Sequence, residues 1–127
     1  MTLVSTTNEG VAGPSALTVS IERTESAVIV EVAGEVDLST APRLKEVLDE
    51  VAPVSGAVIV DLTGVSFMDS SGLNVLLQRR EQLLGDHSGA TVRLIVTQPS
   101  LRRLFEVTGL NDVFELFLSS AEATGRH

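Results

Sequence analysis

Residues 58–77 constrain the fold more than any other part of this chain. The segment begins within an apolar run, residues 57–62, that only Asp61 interrupts, a pattern typical of a central strand buried on both faces. It ends inside a predicted amphipathic helix that starts at about Ser70 and continues to about Leu84. The junction reads Asp69-Ser70-Ser71-Gly72. A buried strand leading directly into a helix predicts an α/β fold.

The other apolar patterns complete this prediction. Alternation over residues 17–21 and β-branched side chains over 28–33, ended by Gly34, predict an antiparallel hairpin. Helical spacing follows Pro42 and Pro99, and further strands are predicted later in the chain, at residues 91–96 and 113–118. The predicted order is β-β-α-β-α-β-α-β(-α), a mixed β-sheet covered by helices. We expect a flexible tail at residues 1–15, one domain at 16–120 and a frayed C-terminus at 121–127.

Composition narrows the classes of function. The formal net charge of −8, with aromatic residues at only 3%, disfavours direct nucleic-acid binding and anionic membrane surfaces. The chain has no cysteine, and its two histidines, His87 and His127, lie in a polar loop and at the terminus. We therefore expect no metal site and no cofactor. No apolar run approaches a membrane span, and the start has no signal-peptide pattern, so a cytoplasmic protein is expected.

The serine turn, residues 69–72, allows three interpretations. An aspartate or serine there can cap the helix. A serine nucleophile would need a nearby base and a group that orients it, and neither histidine is placed for this. A phosphate acceptor suits the position better, because a helix N-terminus tolerates negative charge. Gly72 in a first helical turn costs up to about 1 kcal/mol relative to alanine, which indicates a close approach there.

A receiver-type site with Asp61 as phosphate acceptor is a further alternative. Such a site needs an acidic pair after the first strand to hold magnesium, and a lysine before a late proline. This chain has Glu22-Arg23 and Gln98-Pro99 at those places. We therefore expect Asp61 to cap the strand end or to bind a nearby backbone group instead.

The loop before the first helix carries a second set of polar residues. Ser39 and Thr40 are candidate helix caps, followed by Pro42 in the first turn. Asp37 is a candidate partner contact, because its loop and the serine turn both leave neighbouring strands and enter helices. Arg102 and Arg103 are expected to form a solvated helix face.

Three segments together resemble the STAS-domain family, and within it the bacterial anti-sigma factor antagonists. They are residues 34–44 (GEVDLSTAPRL), 60–73 (VDLTGVSFMDSSGL) and 99–110 (PSLRRLFEVTGL), and the resemblance extends over about residues 17–118. The run Met-Asp-Ser-Ser-Gly-Leu after an apolar strand is the most specific of these signals.

The resemblance implies partner switching without catalysis by this chain. The unphosphorylated protein would bind an anti-sigma factor that is also a serine kinase, which frees the sigma factor. Phosphorylation of Ser71 would release the partner, and a serine phosphatase would reset the switch. The implied partner contacts are Asp37, Ser39, Thr40, Asp69, Ser70, Gly72 and Asn74.

Two other functions remain open from the sequence. A STAS protein can serve as a scaffold subunit of another signalling complex, and a serine hydrolase is the enzymatic alternative. Asn74 departs from the small residue that the family often has at its position. The terminal helix is expected to be short, because residues 119–127 have little apolar periodicity.

Overall fold

A computed structural model of the chain describes residues 3–7, 17–51, 56–85 and 90–125. The strands are Leu3–Thr7 (β1), Thr18–Arg23 (β2), Ala27–Val36 (β3), Ala57–Met68 (β4), Thr91–Ile95 (β5) and Glu115–Phe117 (β6). The helices are Ala41–Glu50 (α1), Ser70–Gly85 (α2), Pro99–Val107 (α3) and Ser120–Gly125 (α4), with a short 3-10 turn at Leu110–Asp112.

The strands form one mixed sheet in the order β1-β2-β3-β4-β5-β6. The first two pairings are antiparallel and the next three are parallel. A helix lies in each parallel connection, as a crossover requires. The carboxyl ends of β3, β4 and β5 therefore meet at one edge of the sheet, which is where ligands and partners of open α/β sheets are usually bound. The predicted α/β class and mixed sheet are confirmed.

Successive side chains along each strand point to opposite faces of the sheet. One face packs against α1, α2 and α3. Val30 and Leu62 of the strands and Leu76 and Phe105 of the helices are fully buried in this core. The opposite face has a smaller cluster in which Ala123 of α4 contacts the layer containing Ile59. Because β4 is buried on both faces, its apolar run needs no alternation. Among the described residues, no helix is long and apolar enough to span a membrane.

Strands β3 and β4 are both longer than the sequence predicts. Gly34, at a φ of 108°, was expected to end β3, yet the strand continues to Val36. The pairing passes through register shifts between Glu31 and Ala33 and between Gly34 and Glu35. A side chain on Gly64 would lie 2.9 Å from the Ala33 Cβ, so this irregular stretch needs a glycine. The bulged pairing carries both strands beyond the point where turn residues suggested that they end.

Two predictions about the ends of the chain need correction. Part of the expected flexible tail, Leu3–Thr7, is an edge strand paired in register with β2. An edge strand depends mainly on backbone hydrogen bonds, so its weak apolar pattern gave little signal. The expected frayed end is helical over Ser120–Gly125, while the remaining residues of both segments lie outside the described part. Ser119 and Glu122 stabilise this helix, with Glu122 N–H donating to the Ser119 hydroxyl at 3.1 Å.

Candidate functional site

The serine turn lies at the joint carboxyl ends of β3 and β4. Val36 and Met68 are the last paired residues of the two strands. The Asp69 N–H then donates to the Val36 carbonyl at 3.1 Å, so the pairing continues one step beyond the strands. Asp37 and Asp69 consequently begin two adjacent loops. The structure therefore brings together the two candidate segments that the sequence separates by about thirty residues.

Asp69 caps the N-terminus of α2. Its Oδ1 accepts a hydrogen bond from the Ser71 N–H at 2.9 Å. Its backbone carbonyl accepts from Gly72 N–H at 3.1 Å and from Leu73 N–H at 3.4 Å. A side-chain acceptor at this position satisfies one of the helix donors that have no partner within the helix. The interpretation of Asp69 as a cap is confirmed.

The two serines differ in their surroundings. Ser70 is exposed, whereas Ser71 is half-buried at the start of the helix. Within the described part of the chain, the Ser71 hydroxyl has no hydrogen-bond partner, although its backbone N–H is held by Asp69. Asn74, one turn further along, is exposed. The backbone of Ser71 is thus held by Asp69, while no neighbouring base among the described residues engages its hydroxyl.

Gly72 is buried and explains the tight junction between the helix and the strands. A Cβ on this residue would lie 2.7 Å from Val36 Cγ1 and 2.8 Å from Met68 Cγ. Such distances are well below van der Waals contact, so a side chain here would force Val36, Met68 or α2 itself to move. The close approach that the sequence indicated at this glycine is confirmed, and its partners are strand side chains of the same domain.

The loop after β3 is organised around the Asp37 carboxylate. Its Oδ1 accepts from the Ser39 hydroxyl at 2.7 Å, the Ser39 N–H at 2.9 Å and the Thr40 N–H at 3.1 Å. The Ser39 hydroxyl, followed by the backbone N–H groups of Thr40 and Ser39, lowers the pKa of Asp37 below its ordinary value of 3.8 despite some opposing desolvation. A network of this kind keeps the loop in one conformation with its carboxylate ionised.

The cap prediction for Ser39 and Thr40 is confirmed in position at Thr40 only. Thr40 occupies the N-cap position of α1, but its side chain makes no capping hydrogen bond. Its hydroxyl instead donates to the Glu35 carbonyl at 2.8 Å and accepts from the Asp37 N–H at 2.9 Å. Ser39 is exposed and hydrogen-bonds Asp37. Thr40 is therefore the cap in position but not in chemistry, because its hydroxyl binds the end of β3. The Ser39 hydroxyl stays within the loop, on Asp37.

Two exposed apolar side chains near the turn were missed from the sequence. Leu38, between Asp37 and Ser39, is 79% exposed, and Phe67, just before Met68, is 51% exposed. Phe67 also lines a groove between the end of β4 and the start of α3, together with Ser100 and Leu104. An apolar residue inside an otherwise polar loop was the available signal for Leu38.

The alternative sites gain no support from the geometry. Asp61 accepts hydrogen bonds from the N–H and the hydroxyl of Thr63, as expected for a carboxylate that binds nearby groups. No cluster of potential metal ligands occurs among the residues that the structure describes, and His87 and His127 lie outside them. Arg102 is half-buried and donates from Nε to the Val96 carbonyl at 2.9 Å, so the prediction of a solvated position holds only for Arg103.

With this geometry established, comparison with known proteins identifies the class. The sequence matches the STAS domain over residues 18–123, and the chain belongs to the STAS-domain family. The match begins at β2 and ends within α4, so it includes the whole serine turn and the Asp37 loop.

Several relatives are named anti-sigma factor antagonists. An anti-sigma-B factor antagonist of Listeria monocytogenes is 38% identical over 107 residues, which is 84% of this chain and 92% of the relative. The corresponding protein of Bacillus subtilis is 32% identical over 104 residues, covering 82% and 94%. A crystal structure of an anti-sigma factor antagonist from Mycobacterium paratuberculosis has a TM-score of 0.78 at 29% identity, covering 91% of this chain and 100% of that one.

Proposed function

We propose that this chain is an anti-sigma factor antagonist that works by partner switching. In its unphosphorylated form it binds an anti-sigma factor and frees the sigma factor. The anti-sigma factor is also a serine kinase that transfers phosphate from ATP to Ser71, and the phosphorylated chain is released. A serine phosphatase returns it to the binding form, and all of these steps take place in the cytoplasm. The relatives that carry this name at 32–38% identity support the assignment.

The observation that carries the proposal is the position of Ser71. Its hydroxyl lies at the start of α2, half-buried, beside the adjacent Asp37 loop, and has no described hydrogen-bond partner. A kinase can therefore reach the hydroxyl without breaking a hydrogen bond in the domain. The serine is an acceptor in this proposal, and catalysis belongs to the partner, because the described residues place no base against its oxygen.

Phosphorylation would change the charge of the docking face. The phosphate adds about −1.5 to −2 charges at neutral pH. It would stand next to the Asp69 carboxylate, which already lies 2.9 Å from the Ser71 backbone nitrogen. The free N–H groups of the helix start moderate this charge, so the domain can remain folded. A hundredfold loss of partner affinity needs only about 2.8 kcal/mol, which one repelled or desolvated phosphate can provide.

The partner surface in this proposal combines the turn and the loop. Asp69, Ser70, Gly72 and Asn74 lie along the start of α2, and Asp37, Ser39 and Thr40 form the neighbouring loop. Thr40 is 8% exposed and Gly72 is buried, so these two would act by shaping the surface, not by touching the partner. Exposed Leu38 would supply apolar contact area inside an acidic rim.

Phosphate mapping tests the acceptor directly. The chain is incubated with its cognate anti-sigma factor and ATP, and phosphopeptides are located by mass spectrometry. We expect one phosphate on Ser71, no phosphate on a Ser71→Ala variant, and unchanged modification of a Ser70→Ala variant. Ser70 and Ser71 are adjacent and chemically identical, so the Ser70→Ala variant is a matched control. Phosphate on Ser70 alone, or on neither serine, would refute the acceptor assignment.

Binding measurements test the switch. The Ser71→Ala variant should bind the anti-sigma factor about as tightly as the unmodified chain, and the phosphorylated chain about a hundredfold more weakly. A pull-down that recovers sensor or other STAS proteins and no anti-sigma factor would instead favour a scaffold subunit of another signalling complex.

A further inference from the structure

The end of β4 extends beyond its neighbour β5. The β4–β5 pairing runs from Ala57 with Thr91 to Asp61 with Ile95 and stops there. Strand β4 continues for seven more residues to Met68, paired on its other side with β3. Backbone groups on the β5 side of this extension therefore need other partners. This extension leads directly into the serine turn.

The side chain of Gln98 fills the place of the missing strand. Its amide nitrogen donates to the carbonyls of Leu62 at 2.8 Å, Thr63 at 3.1 Å and Val65 at 2.5 Å. Its amide oxygen accepts from the Thr97 N–H at 3.1 Å. The NH₂ group has two hydrogens and three carbonyl acceptors, so one hydrogen is shared between two of the carbonyls.

Gln98 stands at the start of α3, where a side chain commonly caps the helix, yet it is used elsewhere. Gln98 is the N-cap residue of α3, but its side chain makes no capping hydrogen bond there. The amide is instead directed across 33 to 36 residues of sequence to β4. Leu62 and Val65 are both almost completely buried, so their carbonyls would otherwise be costly to leave unpaired.

We infer that Gln98 is a positioning residue for Ser71: it holds the β4 extension in the bulged path that sets where the serine turn points. Few residues separate Gln98's contacts on β4 from Ser71. Val65 is three residues before Met68, whose side chain packs against Gly72. Asp69 follows Met68 and accepts the hydrogen bond of the Ser71 N–H. Gln98 itself lies outside the predicted docking residues and acts only through the strand. Its relevance to phosphorylation depends on the function proposed above.

Hydrogen exchange on the isolated full-length chain tests the structural step without any partner. Gln98→Glu keeps the size of the side chain but replaces the donor with a carboxylate facing three carbonyls, and Gln98→Met removes the donor without adding charge. We expect amides of residues 64–73 to exchange at least about tenfold faster in both variants, with amides of α1 unchanged. Using both variants guards against failure of one of them to fold.

Arg79, in the middle of α2, provides the control. Arg79 Nη2 donates to the Val51 carbonyl at 2.7 Å, another contact of a side chain with a distant backbone carbonyl. Arg79→Met should lower overall stability but leave exchange at residues 64–73 like that of the unmodified chain. Equal exchange at the turn in the Gln98 variants and the unmodified chain would overturn the inference, as would an equal increase in Arg79→Met.

A kinase assay with the cognate anti-sigma factor gives a second, separable readout. We expect kcat/KM for Ser71 phosphorylation to fall about tenfold in Gln98→Met and to stay unchanged in Arg79→Met. If the unmodified chain accepts no phosphate on Ser71, the proposed function fails, while the exchange experiment still tests Gln98. If it is phosphorylated and Gln98→Met is phosphorylated equally fast, the inference about Gln98 fails and the proposed function stands.

Discussion

The buried glycine at the start of α2 leads to a prediction about a single residue. In Gly72→Ala the new Cβ would overlap Val36 Cγ1 and Met68 Cγ, at 2.7 and 2.8 Å. We expect a loss of about 1–3 kcal/mol in the free energy of unfolding, because overpacking outweighs the better helix propensity of alanine. Urea denaturation measures this loss.

Gly85→Ala at the other end of the same helix is the control. Apart from its chain neighbours and the nearby backbone of its own helix, no described atom lies within 4 Å of a Cβ at that position. The substitution should leave stability unchanged or raise it by up to about 1 kcal/mol. If Gly72→Ala is tolerated as well as Gly85→Ala, the close packing of α2 on the strand ends is not what requires a glycine.

The Asp37 carboxylate gives a prediction about pH. Its pKa is lowered in the folded protein, so its ionised form favours folding. The contribution is fully present above the unfolded pKa and is lost as the pH falls through the lower folded pKa, below 3.8. The free energy of unfolding of the unmodified chain should therefore fall more steeply in this acid range than that of Asp37→Asn. Parallel pH curves for the two proteins would contradict the hydrogen-bond network as its cause.

The N-terminal cap of α2 concerns a whole element. Asp69→Ala removes the acceptor for the Ser71 N–H, which lies 2.9 Å away. We expect a loss of about 0.5–2 kcal/mol in unfolding free energy and faster amide exchange in the first turn of the helix. Asp69→Asn keeps a side-chain oxygen and should recover most of the loss. An equal loss in both variants would show that charge, not capping, is what matters there.

The sequence predicts the helices and strands of this chain where side-chain pattern determines them. Pro99 begins α3, as the sequence predicts, and Gly109 follows the helix in a left-handed conformation that favours glycine, with a φ of 77°. The end of β4 was not predicted, because Thr63-Gly64 resembles a turn, and only the pairing with β3 and the hydrogen bonds from Gln98 make it a strand. Such partners are distant in the sequence and leave no local signal.

In the candidate site too, features set by neighbouring residues were predictable, whereas features set by distant pairing were not. Asp69 as cap and Gly72 at a close contact follow from local chemistry and were predictable. The short helix α4 also had a local signal, since Ser119-Ser-Ala-Glu122 is a capping-box sequence. The adjacency of the Asp37 loop and the turn depends on the register of Val36 with Met68. Register depends on the whole sheet, so the residues alone indicated only that the loops share an edge.

At the scale of the whole molecule, β1 lies at the edge of the sheet. Among the described residues it pairs with β2 alone. A chain beginning at residue 16 should therefore still unfold in one cooperative transition, with faster amide exchange in β2 and unchanged exchange at residues 69–73. Urea denaturation with two spectroscopic probes and hydrogen exchange test this. Transitions that differ between the probes would show that β1 belongs to the cooperative unit.

The strand order has a consequence for how the protein is made. Because every strand pairs with the one just before it in the sequence, the sheet can grow strand by strand as the chain leaves the ribosome. The loop at Asp37, the turn at Ser71 and the packing around Gly72 are all encoded before residue 86. Gln98 emerges later, with α3. The turn at Ser71 is thus translated before the side chain of Gln98, whose hydrogen bonds to β4 form only when the following segment has been made.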